Sequence, residues 1–247
     1  MTSVKMFNRP FLTHYRRVYN SLIDVDDAYS RLKQHRGQLA TIRKALRIIR
    51  GRRANDYLGV TLLHRHFQAE PGAIFVERRF TPKARHHATV LVTCPIPAKG
   101  APTRLGPHRF TFTEKGTLEP LEFTTDLAAI SAHARLAEDA RLQADVAEVL
   151  AGNDLSAMLG VGIFVRDSRV AKATTVFLEE TRFAERESVV HALPRLPHAH
   201  GRLIPTLWTS GSDGDLVCET ICLAYCSHSG NTIGYCGHSK DRHVGKT

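Results

Sequence analysis

The residues of this chain that could do chemistry fall in two clusters. The first is CLAYCSHSGNTIGYCGHSKDRH, residues 222 to 243, which holds three of the five cysteines and three of the fourteen histidines. Cys226-Ser-His228 and Cys236-Gly-His238 are the same Cys-x-His unit written twice, ten residues apart. Two thiolates and two imidazoles make a tetrahedral set that suits zinc. The glycines and Asn231 between the units let the chain turn back on itself. Cys218, Cys222 and Cys226 add a four-residue rhythm that shares one face on a helix or on a strand. The expected ligands here are Cys222, Cys226, His228, Cys236 and His238. Simple packing of the cysteines in a core is the competing account.

The second cluster is LGVTLLHRHFQAE, residues 58–70. As a strand it puts His64 and His66 on one face with Leu58, Val60 and Leu62. Two imidazoles on one strand face can grip zinc, iron or copper. The leucine on that face implies burial, and a buried histidine pair needs a partner or a metal. Glu70 follows. Gly59, the His-x-His pair and Glu70 together resemble the first metal motif of the cupin family. That resemblance implies a small β-barrel holding a redox or hydrolytic metal through His64, His66 and Glu70, with His108 of PTRLGPHRF as the last ligand.

Other patterns carry less. LAYCSHSGNT resembles the phosphate loop of flavodoxin-like proteins, but IGYCGHSKDRH after it is a poor helix, and such loops need a helix N-terminus. The terminal GKT lacks a P-loop, because Lys240 stands where that motif needs glycine. No G-x-S-x-G elbow is present. His86 and His87 are adjacent and would face opposite ways on a strand. His198 and His200 read as loop residues, and Cys94 as a core strand residue. The sequence assigns no catalytic residue and no organic cofactor.

These clusters must be positioned by the elements around them. Residues 14–53 read as helical, with Leu39, Ile42, Leu46 and Ile49 forming one apolar face and Gly37 interrupting or dividing the run. Residues 57–123 alternate β-branched and aromatic residues with polar ones between Pro and Gly punctuation, which predicts strands and turns, with a hairpin at EKG 114–116. Residues 125–151 lack Pro and Gly and read as one long helix, whole or broken in two, capped by Thr125 or Asp126 and ended near Gly152. Further strands are expected beyond it, and no internal repeat is evident. The predicted fold class is α+β: a basic helical N-terminus (1–56), then a mainly antiparallel sheet with a long inserted helix and a Cys/His-rich tail (57–247).

A hydrophobic content of 43% is enough for a core. No apolar run approaches the ~18 residues of a membrane span. The first residues do not read as a secretory signal, and five cysteines fit a disulfide framework poorly. The expectation is a cytoplasmic protein with reduced thiols. The net charge of +10 favours acidic partners. Arg31 to Arg53 holds nine Lys or Arg and no acid, so nucleic acid or another polyanion is an expected partner. The Leu39-Ile42-Leu46-Ile49 face could pack on a second copy as a homodimer, or equally on the chain's own sheet, which is the commoner fate of such a face. Two functions follow: a metalloprotein or metalloenzyme, with zinc first and iron or copper next, or a nucleic-acid-binding protein with a structural zinc.

Overall fold

The structure is a computed structural model that describes residues 7–80, 88–165, 176–195, 201–211 and 213–225. Helix α1 (Arg9–Ser21) starts where the Asn8 side chain accepts from the Phe11 N–H, with Pro10 in the first turn. Asp24 caps α2 (Val25–Gln34) in the same way. Gly37, at φ +83°, separates α2 from α3 (Gln38–Gly51) because the turn needs a left-handed residue. Ile42, Leu46 and Ile49 of α3 are buried in the chain's own core with Leu58, Val60 and Leu62, while Leu39 is exposed.

Ten strands follow: β1 (Leu58–Leu62), β2 (Ala73–Arg79), β3 (Ala88–Pro97), β4 (Gly106–Phe112), β5 (Leu118–Thr124), β6 (Leu159–Ile163), β7 (Val176–Arg182), β8 (Glu187–Leu193), β9 (Gly201–Ser210) and β10 (Leu216–Tyr225). They close into a barrel in the order β1-β6-β4-β5-β2-β3-β8-β7-β10-β9. The β2/β5 and β7/β10 contacts are parallel and the others antiparallel. This corrects the expected α+β sheet. The strands form one closed mixed barrel, so no open sheet remains for a helix to be inserted into. The run at 125–151 is two helices, α4 (Leu127–Glu138) and α5 (Ala140–Ala151), because Asp139 leaves the helical conformation and caps the second one.

The barrel is also two halves of one plan. Replacing β1 to β5 by β6 to β10, and the reverse, reproduces the same strand order read backwards. The register agrees residue by residue. Arg109 opposite Gly162 and Phe110 opposite Val161 match Leu207 opposite Thr61 and Trp208 opposite Val60. Val76 beside Phe123 and Glu77 beside Thr124 match Leu178 beside Ile221 and Glu179 beside Cys222. The bulge at His108 between β4 and β5 matches an irregularity at Thr206 between β9 and β10. Helices α2 and α3 correspond to α4 and α5, each first helix capped by an aspartate, Asp24 or Asp126. Helix α1 has no counterpart. Even the glycines correspond: a Cβ on Gly59 would meet the Trp208 carbonyl oxygen at 2.5 Å, and one on Gly160 would meet the Phe110 carbonyl oxygen at 2.1 Å. The chain is therefore internally repeated, contrary to the sequence reading, although little sequence marks it beyond Leu-Gly-Val at 58–60 and 159–161.

Candidate metal centre

Strand β1 ends at Leu62, and the chain beyond it stays extended by borrowing hydrogen bonds. Leu63 N–H donates to the Met158 carbonyl and Arg65 N–H to the Ile23 carbonyl. With the alternate residues so held, His64 and His66 both turn into the barrel, their ring centroids 4.9 Å apart. They meet Glu179 of β7, and the three residues can place one ligand atom each within 4.8 Å of one another. All three are buried. His66 Nε2 lies 2.9 Å from Glu179 Oε1, and its Nδ1 lies 3.2 Å from the Thr181 hydroxyl. His64 Nδ1 lies 2.9 Å from the Leu62 carbonyl. A carbonyl only accepts, so Nδ1 carries the proton and Nε2 the lone pair. That tautomer is the one a second contact imposes on a metal-binding imidazole.

Electrostatics agree with this assignment. Burial, and then the neighbouring His66, push His64 down to about 3, so its ring is neutral. Burial alone would raise Glu179, yet His66 and Arg109 hold its carboxylate well below the usual range. The Ser188 hydroxyl donates to the same Oε1 at 2.7 Å.

The cluster belongs to a larger polar interior. An extra residue in β4 at His108 shifts the register against β5. Such a bulge re-aims side chains, and here the adjacent His108 and Arg109 both reach the interior. Arg109 Nε lies 3.3 Å from Glu122 and its Nη2 3.9 Å from Glu179. His108 lies between Glu77, at 3.9 Å, and Glu122, at 3.6 Å. Burial pushes His108 down to about 4 and Glu77 up to about 7. Burial would lower Arg109 too, but Glu122, Glu179 and Glu77 outweigh it and keep the guanidinium charged.

The two ends of the barrel differ. Helix α1 packs on β2 and β5 at the Glu179 end. Tyr19 stacks on Phe75 at 4.3 Å, and the Tyr15 hydroxyl donates to the Leu121 carbonyl while accepting from the Phe75 N–H. The other end keeps a cavity of about 60 Å³, lined by Glu77, Arg79, His108 and Arg109 on one side and by Phe177 and Leu207 on the other. That is room for a few waters or a very small ligand. A wider groove of about 630 Å³ along Arg9, Thr13 and Arg16 lies on the outer face of α1, away from this chemistry.

Of the residues singled out from sequence, His64 and His66 are brought together and Glu70 is not with them. Glu70 is exposed and pairs with Arg186, and the carboxylate at the pair is Glu179. Cys222 sits beside Glu179 across β10, fully buried, and burial pushes its thiol well above the ordinary range. Cys218 is exposed, because the register slip at Glu219 breaks the alternation that would have placed it with Cys222. Cys226, His228, Cys236 and His238 lie outside the described residues, as do His86, His87, His198 and His200. Sequence reasoning missed Glu77, Arg109, Glu122 and Glu179. One signal was present: Phe-Val-Glu at 75–77 and Phe-Leu-Glu at 177–179 each place a carboxylate inside an apolar strand.

The fold and site together define a closed ten-stranded barrel with a buried cluster of two histidines and a glutamate that could hold a metal ion. No protein-family model matches the chain, and neither a curated protein nor a solved structure matches it. Among the described residues, no helix is long and apolar enough to cross a membrane.

Proposed function

We propose that this protein is a metalloenzyme whose ion, zinc or ferrous iron, is held by His64, His66 and Glu179. The observation that carries the reading is a pre-gathered donor set in a buried polar interior. Glu122 and Glu179 share that interior with the Arg109 guanidinium, and burial raises Glu77 to about 7. A divalent ion at the cluster supplies the positive charge that Glu179 faces and leaves both rings neutral, as ligands must be. The 2.9 Å between His66 Nε2 and Glu179 Oε1 suits neighbouring ligands on one ion, each about 2.1 Å from it. Ligand atoms each about 2.1 Å from a tetrahedral ion lie about 3.4 Å apart, so the widest separation, 4.8 Å, must close by roughly 1.4 Å for all three to bind.

Two imidazoles and one carboxylate leave coordination positions open, the pattern of catalytic zinc and of non-haem iron rather than of a closed structural site. A metal there supplies a Lewis acid and an activated water or dioxygen. The chain's own part is legible in its side chains. Leu62 and Thr181 orient the two rings, Ser188 and Arg109 hold Glu179, and α1 keeps bulk water from that end. The Cys226–His238 segment is a separate zinc proposal, supported by its two Cys-x-His units.

Titrating zinc and then ferrous iron into chelator-treated full-length protein tests this reading, beside His64→Ala and a Cys226→Ser, Cys236→Ser variant. The expected result is a tight site that is lost in His64→Ala and kept in the cysteine variant, whether or not the tail adds a second zinc. Loss in the cysteine variant alone would place the ion in the tail and overturn the reading.

A further inference from the structure

Helix α3 carries a face that its own fold does not require. Thr41, Ala45, Leu46 and Ile49 are buried, and Arg43, Lys44, Arg47 and Arg50 point outward with no acidic residue on the helix. In its counterpart α5, the corresponding buried positions are Leu142, Val146, Ala147 and Leu150. The corresponding outer positions are Ala144, Asp145, Glu148 and Ala151. The same helix in the same place of a repeated plan packs equally well with acidic and small residues outside. Packing and solubility therefore do not account for Arg43, Lys44 and Arg47 on α3, while Arg50 also lies against the Gly214 backbone.

We propose that the outer face of α3 docks nucleic acid through its phosphates. Arg43, Arg47 and Arg50 line one side of a surface cleft of about 420 Å³, with Ser210, Gly214 and Leu216 opposite. Gly214, at φ +94°, lets the Arg50 guanidinium lie against the backbone, since a Cβ there would meet Nη1 at 2.2 Å. Among the described residues, Arg43, Lys44 and Arg47 have no carboxylate partner. The stripe from Arg43 to Arg50 is about 10 Å long, which spans roughly three phosphates of one strand. Arg31, Lys33, Arg36 and Arg53, all exposed, extend the positive field on either side.

A lipid surface fits less well. The apolar side of α3 is spent on the protein core, and Leu39 is its one large exposed apolar residue, whereas interfacial helices bury an apolar face in lipid. An acidic protein partner would need an apolar centre to its interface, which this face lacks. No aromatic residue stands on α3 to stack bases. Recognition is therefore of backbone charge, not of sequence.

The test is fluorescence anisotropy of the full chain with a labelled DNA duplex of about 20 base pairs and a single-stranded RNA of similar length, at several salt concentrations. Three phosphate contacts on duplex should weaken binding by about 40-fold between 50 and 200 mM salt. The key variant carries the α5 residues, Arg43→Ala, Lys44→Asp and Arg47→Glu, which the repeated scaffold already tolerates, and its helicity and melting should match the wild type. It should bind at least tenfold more weakly with a flatter salt dependence. Arg47→Gln should show a smaller loss in the same direction if the triple variant misfolds. Replacing Arg9 and Arg17 of α1 by Ala should leave affinity within twofold. Absence of salt-dependent binding to either nucleic acid, full binding by both α3 variants, an equal loss in the α1 variant, or binding to phosphatidylserine vesicles without nucleic-acid binding would each overturn the proposal.

Discussion

Glu77 and Glu179 occupy corresponding positions in the two halves of the barrel, yet their carboxyl groups are pushed in opposite directions. Glu179 has His66 at 2.9 Å and a serine donor, and is held well below the carboxylate range. Glu77 has only a neutral histidine at 3.9 Å and more distant guanidinium groups, and burial lifts it to about 7. The surroundings diverge in step. Where the Glu179 end has His64, the register of β1 and β6 puts Val165 at the other. Where the first half has His108, Arg109 and Glu122, the second has Thr206, Leu207 and Thr220. Helix α1, which has no counterpart, closes one end and leaves the other with a cavity. The scaffold is repeated and the chemistry is not. The candidate metal cluster also draws its histidines from one half and its glutamate from the other, so neither half would build it alone.

The shared scaffold can be broken at matched points. Gly160→Ala drives a methyl group into the Phe110 carbonyl and Gly59→Ala drives one into the Trp208 carbonyl. Each is expected to cost about 4 kcal/mol or more in chemical denaturation, with Gly160 the worse. A tolerated alanine at either glycine would show that the two halves are not held by the same close strand approach.

The chemistry should respond unequally. Glu179→Gln removes the carboxylate that His66 and Arg109 face, and breaking a buried pair of this kind is expected to cost about 3 kcal/mol or more. Glu77→Gln should act in the other direction above neutral pH. The folded state holds the Glu77 proton more tightly than the unfolded chain does, up to about pH 7. That contribution is complete below the ordinary carboxylate value and is lost as pH rises through 7. The variant's stability relative to wild type should therefore improve by on the order of 2 kcal/mol between about pH 5 and pH 8. A parallel pair of pH–stability curves would contradict it. His108 contributes in the opposite sense, because its lowered value costs stability as pH falls from the ordinary histidine range toward about 4. The smallest contrast lies at the helix caps. Asp24→Ala and Asp126→Ala should each cost about 1 kcal/mol in a melting experiment. The second should cost slightly more, because Asp126 accepts from two backbone N–H groups and also pairs with Arg79.

Much of the local structure was legible. Gly37, Asp126, Gly152 and the EKG hairpin mark real boundaries because caps and turns are written in a few adjacent residues. Barrel closure was not legible. It depends on β10 returning beside β7 and β6 returning beside β1, and such long-range pairing leaves no short signature. The repeat was hidden because each half keeps only what the backbone needs: a glycine under a carbonyl, a cap, a bulge. His64 and His66 stood out by type and spacing. Glu179 did not, since it lies more than a hundred residues away and looks like an ordinary strand carboxylate. Glu70, near in sequence, turns outward because the chain after His66 runs back to meet Asn20 and Arg16 through the Ala69 backbone.

The most direct measurement is X-ray absorption at the metal edge of the full-length Cys226→Ser, Cys236→Ser variant, which removes the tail thiolates, loaded with the ion it binds most tightly. The account predicts a first shell of nitrogen and oxygen only, at about 2.1 Å, that is lost in Glu179→Gln. Sulfur scatterers near 2.3 Å, or no bound ion after zinc and iron are supplied to folded protein, would contradict it.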